Sequence, residues 1–82
     1  MKNEIKDIID WLNYKDYKNY TLKNFPHDMD EYDWNTISNF PYLSENFIEK
    51  YQNHICWSYV SEYQTLSENF IEKYKDKINL NI

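Results

Sequence analysis

LSENFIEKY stands whole at residues 43–51 and again at 66–74, and this duplication sets the period on which the chain is organised. Trp11, Trp34 and Trp57 follow one another at intervals of 23 residues, and the next step falls on the apolar Leu80. Segments 34–56 and 57–79 also share the tryptophan, a serine four residues later and a late isoleucine. A fixed period of this length belongs to chains in which one supersecondary unit is stacked on the next. The sequence therefore divides into a half-repeat (1–10), a degenerate repeat (11–33) and two full repeats (34–56 and 57–79) within one domain.

Each unit reads as two short helices. Ser44 and Ser67 are placed as N-caps, whose hydroxyls accept amide hydrogens left unpaired in a first helical turn. Leu43 with Ile48, and Leu66 with Ile71, have the spacing of a hydrophobic staple, while Glu45 and Glu68 put negative charge at the positive helix end. Phe47, Ile48, Tyr51 and Ile55 then share one face, as do Phe70, Ile71, Tyr74 and Ile78. The first helix of each unit carries an apolar residue every third position: Trp11, Tyr14, Tyr17; Trp34, Ile37, Phe40; Trp57, Val60, Tyr63. Two periods before Phe47, Tyr51 and Ile55 lie Met1, Ile5 and Ile9, which makes the N-terminal segment a half-unit that starts the stack.

The expected fold is all-α, with short tandem helical-hairpin repeats forming a small solenoid or compact helical stack. Its expected core is Trp11, Trp34, Trp57, Phe47, Phe70, Ile48, Ile71, Tyr51 and Tyr74. The chain contains no glycine, and Pro26 and Pro41 are its prolines, so hairpin turns that need positive φ are disfavoured and polar caps must join the helices.

Composition narrows the function. Fourteen acids against nine lysines give a net charge of −5, and no arginine is present, which argues against direct nucleic-acid binding. Aromatics make up 20% of the chain, too much apolar area for a disordered acidic tail. A lone Cys56 and the absence of a long apolar run point to a reduced, cytoplasmic setting without membrane insertion. The absence of glycine excludes the glycine-dependent nucleophile-elbow, P-loop and dinucleotide motifs, and no H-E-x-x-H appears. A non-enzyme without cofactor is expected. His27, Asp28, Asp30 and His54 are ligand types, but no paired metal motif supports a site, so no metal is expected.

The pattern W-x-x-[IV]-S-x-[FY]-x-x-L-S-E-N-F-I-E-K-Y resembles the short tryptophan- and LSE-containing repeats strung in arrays in giant DNA viruses and large phages. The resemblance covers 34–82 closely and 1–20 loosely. It implies a viral or phage origin and the repeat class, and nothing about catalysis. By analogy with small acidic phage proteins, it further implies an inhibitor of a host defence enzyme, of the anti-CRISPR kind, acting in the host cytoplasm.

Residues 22–33, LKNFPHDMDEYD, depart from the pattern because Pro26 interrupts the second helix the period calls for. Asp28, Asp30, Glu31 and Asp33, with Met29 and Tyr32 as apolar anchors, form the candidate surface for a host protein with a basic face. The same acids also read as a solvated helix start capped by Asp28 or Asp33. Tyr20, Tyr42 and Tyr59, read as lying outside the fixed stripe, complete the candidate interface. The other reading is a self-associating scaffold, since stacked repeats expose end faces able to continue the stack.

Overall fold

Ser44 and Ser67 cap as their sequence requires. In the computed structural model, which describes residues 3–78, the Ser44 hydroxyl accepts from the Phe47 amide at 3.0 Å and the Ser67 hydroxyl from the Phe70 amide at 3.2 Å. These caps open α3 (Glu45–Lys50) and α5 (Glu68–Lys73). Before them come α1 (Glu4–Asp16), a 3₁₀ turn (Leu22–Asn24) and α2 (Glu31–Ser38), and α4 (Trp57–Tyr63) lies between α3 and α5. Every regular element among the described residues is thus helical. The Met1 and Leu80 positions of the repeat frame lie outside the described residues.

The N-terminal part differs from the expected half-repeat followed by a separate first helix. Residues 4–16 form one continuous helix, capped by the Asn3 side chain, which accepts from the Lys6 amide. Its apolar residues favour this outcome: Ile5, Ile8, Ile9 and Leu12 fall on one helical face, and Ile8 and Leu12 are fully buried. The stripe read through Trp11, Tyr14 and Tyr17 does not face the core. Trp11 is half-buried, whereas Tyr14 and Tyr17 are exposed, and Tyr17 ends the helix in the left-handed region at φ 55°. Without glycine to hand, that C-cap falls to a residue that pays about 1 kcal/mol for it.

The core runs through Ile8, Ile9 and Leu12 of α1, Phe25, Trp34 and Ile37, Phe47 and Ile48, and on to Val60, Phe70, Tyr74 and Ile78. Of the core expected from sequence, Trp34, Phe47, Ile48, Phe70 and Tyr74 are buried, while Tyr51, Trp57 and Ile71 pack against it half-buried. Equivalent rings meet equivalently. Phe47 and Tyr51 lie 4.7 Å apart between centroids, as do Phe70 and Tyr74, and Trp34 meets Tyr51 at 5.7 Å where Trp57 meets Tyr74 at 5.4 Å.

The degenerate segment keeps its cap and loses its helix. Thr21, one period before Ser44, caps the 3₁₀ turn in a reciprocal box with Asn24, and the chain then turns at Pro26. Phe25 goes inward and meets Trp34, Phe47 and Tyr51 with centroids 5.2–5.9 Å apart. Asn13 ties the preceding loop to α1, donating to the Tyr20 carbonyl and accepting from the Tyr20 amide. α1 packs on α2 and α2 on α4, and the molecule measures 37 × 28 × 19 Å, its shortest dimension about two helix diameters.

Candidate partner-binding surface

The acidic segment resolves into a structural part and an exposed part. Asp30, rather than Asp28 or Asp33, is the N-cap of α2, and its Oδ1 accepts from the Asp33 amide at 2.8 Å. Asp33 returns the bond, its Oδ2 accepting from the Asp30 amide at 3.3 Å and from the Tyr20 hydroxyl at 2.8 Å. The Asp33 side chain is fully buried, and Lys18 approaches its other oxygen to 3.6 Å. Asp33 and the half-buried Tyr20 therefore hold the 17–33 segment together and are not part of the surface. The frame explains Tyr20: it stands one period before Leu43, at the staple position, which is apolar in both full repeats.

Asp28 is exposed and accepts from the Asn24 side chain at 2.9 Å; Met29 packs half-buried against the core. Glu31 and Tyr32 are exposed on the first turn of α2. Tyr42 is exposed but lines a different depression, with Asp7 and Phe40. Tyr59 is half-buried against Tyr63 at 6.1 Å. The nine candidates thus do not form one patch.

Tyr32 instead joins residues from two other helices. An open groove of about 430 Å³ runs between α1, α2 and α4, lined among others by Trp11, Lys15, Asp16, Tyr32 and Tyr63. Trp11 is fixed there edge-on to Phe40 at 5.9 Å, with Lys15 above its ring at 4.8 Å. Trp11 and Tyr63 escaped the sequence reading because both sit on the expected core stripe. The available signal was the phenol at 63 where the preceding unit has Phe40, a polar tip that the degenerate unit also carries at Tyr17.

Glu4, Glu45 and Glu49 tie separate parts of the chain together. Glu45 accepts from both the amide and the hydroxyl of Ser67, at 2.7 and 3.0 Å. Glu4 does the same to Ser44, at 2.7 Å for each bond. Both are the first residue of their helix, so contact geometry matches Glu4 to Glu45 rather than Met1 to Phe47 as the period suggested. Glu49 accepts from Lys73 Nζ at 2.7 Å and from the Tyr74 hydroxyl at 2.6 Å, and Lys77 donates to Gln52. Lys73 and Tyr74 hold the Glu49 carboxyl below the usual range, the lysine contributing most.

These bonds set an alkaline limit on stability. The Asp33 carboxylate holds the Lys18 ammonium above its ordinary range, and its hydrogen bond is the main cause of the raised Tyr20 phenol. Hydrogen bonds to Glu49 likewise raise Lys73 and Tyr74. Each group binds its proton more tightly folded than unfolded, so its contribution is fully present below about pH 10 and is lost as pH rises through the folded values. The urea midpoint is therefore expected to drop as pH is taken above about 10, and a midpoint unchanged across that window would contradict these contacts.

Among the described residues no three His, Cys, Asp or Glu side chains gather as a metal site, and no helix is long and apolar enough to cross a membrane. Comparison with protein-family models, curated proteins and solved structures finds no match to this chain.

Proposed function

We propose that the chain is a non-enzymatic binding protein, a short solenoid of helical hairpins that presents an aromatic and acidic surface to a basic host protein and inhibits it stoichiometrically. The groove between α1, α2 and α4 carries this reading: Tyr32 and Tyr63 are exposed at 63% and 55% beside Trp11, with Glu31 exposed next to Tyr32. Tyrosine and tryptophan supply rigid contact area at low entropic cost and dominate binding energy when they fill partner pockets. The net charge of −5 favours encounter with a basic partner and slows encounter with nucleic acid. Of the acidic candidates, Asp28, Asp30 and Glu31 remain exposed, with Asp33 removed to the interior. The inhibited partner as a nucleic-acid-processing defence enzyme, and the host cytoplasm as the setting, rest on the resemblance to phage and giant-virus repeats.

The test is affinity capture from a host-like lysate by wild type and by the Tyr32→Ala/Tyr63→Ala variant at low and high salt. A basic protein retained by wild type, weakened by salt and lost by a factor of about 100 in the double variant supports the groove. Equal capture by both proteins excludes it.

A further inference from the structure

The contact that Glu49 makes inside the molecule has a second receptor, built from the same residues, that no carboxylate engages. Lys50 and Tyr51 stand one period before Lys73 and Tyr74, and Lys50 Nζ lies over the Tyr51 ring at 5.5 Å just as Lys73 lies over Tyr74 at 5.4 Å. In the downstream pair this arrangement delivers the ammonium and the phenol hydroxyl together to one oxygen of Glu49. Upstream, the position one period before Glu49 is Pro26, and among the described residues the Lys50 ammonium meets the Tyr51 ring but no carboxylate.

The approach to this receptor is open. A groove of about 540 Å³ lies over it, lined by Ile5, Asn46, Phe47, Lys50 and Tyr51. Glu4 also lines the groove, but both its oxygens are committed to Ser44. Among the described residues, α1 thus reaches the Ser44 end of α3, and Lys50 at the other end is exposed.

The opposite end of the molecule offers the complementary group. Glu72 stands one period after Glu49, exposed on α5, and among the described residues is paired with Lys75 at 3.3 Å, a surface i,i+3 pair worth little. Next to it Ile71 is half-exposed, although its equivalent Ile48 is fully buried in the core. One end therefore presents a carboxylate beside an apolar side chain. The other presents an ammonium and a phenol beside an apolar groove.

We propose that these two faces dock onto each other between copies of this chain, with Glu72 of one copy taking Lys50 and Tyr51 of the next as Glu49 takes Lys73 and Tyr74, and with Ile71 entering the groove at Ile5 and Phe47. Because the two faces are different patches, the contact is head-to-tail and leaves each new complex with one face of each kind, so association grows with concentration rather than stopping at a dimer. This surface is separate from the tyrosine groove between α1, α2 and α4, and either can hold without the other.

Sedimentation velocity from micromolar to millimolar protein at low salt reads the contact directly. Wild type is expected to sediment faster as concentration rises. Glu72→Lys and Lys50→Glu should each weaken association about tenfold or more, and the double swap Glu72→Lys/Lys50→Glu should restore it. Both substituted positions are solvent-facing, and circular dichroism checks that the helices persist. A monomer at every concentration overturns the proposal, as does association that survives both single reversals or is not recovered by the swap.

Discussion

Replacing Asp33 by alanine is expected to destabilise the fold by about 3–4 kcal/mol, although the residue lies in a segment that reads as a solvated acidic loop. The substitution leaves the Tyr20 hydroxyl and the Asp30 amide without their acceptor and removes the carboxylate from Lys18. An 82-residue chain has a total stability of about 4–12 kcal/mol, so the loss removes from about a quarter to nearly all of it. Two companion variants separate the causes. Asp33→Asn keeps an oxygen acceptor and loses only the charge, so about 1–2 kcal/mol is expected. Lys18→Ala should cost below about 1 kcal/mol, because the lysine is one-third exposed and its pair is screened. Urea unfolding of the three variants checks the order, and a loss in Asp33→Ala no larger than in Lys18→Ala would return Asp33 to the surface. The alkaline fall in stability should also shrink in Asp33→Ala, since Lys18 and Tyr20 then lose the main cause of their raised values.

What the sequence disclosed and what it concealed divide along one physical line. Features that depend on residues within one unit were legible. The Ser44 and Ser67 caps, the inward Phe47 and Phe70, and the phenols of Tyr51 and Tyr74 against them all follow from spacing inside LSENFIEKY. Features that depend on what lies alongside were not. Glu45 and Glu49 look like any exposed helix glutamate until Ser67, Lys73 and Tyr74 of the following unit reach them. α1 was misread for a related reason. Position counting assigned residues 1–10 and 11–17 to different helices, but nothing between Glu4 and Asp16 breaks a helix, and local propensity prevailed over the period. The candidate surface shows the same division. Tyr32 and Glu31 were found because an irregular segment drew notice to them, whereas Trp11 and Tyr63 were hidden by a stripe whose members Trp34, Ile37 and Val60 are buried.

Ile48 and Ile71 separate local sequence from tertiary position, because they occupy the same place in identical nonapeptides and differ in burial. Ile48 has no exposed surface and belongs to the buried core; Ile71 is half-buried and packs against that core. Truncation to alanine removes transfer free energy at both sites, but only a closed site also leaves a cavity that its surroundings cannot fill. Ile48→Ala is therefore expected to cost about 3–4 kcal/mol and Ile71→Ala about 1 kcal/mol, measured by urea unfolding at dilute protein, where no association contributes. Local sequence cannot generate that difference, since LSENFIEKY has the same propensities, caps and staple in both places. Equal costs would mean that both isoleucines are covered alike and that α5 is not the outer layer. A gap of about 2–3 kcal/mol would place the asymmetry in tertiary position alone, and would leave Ile71 as apolar surface that another molecule can cover.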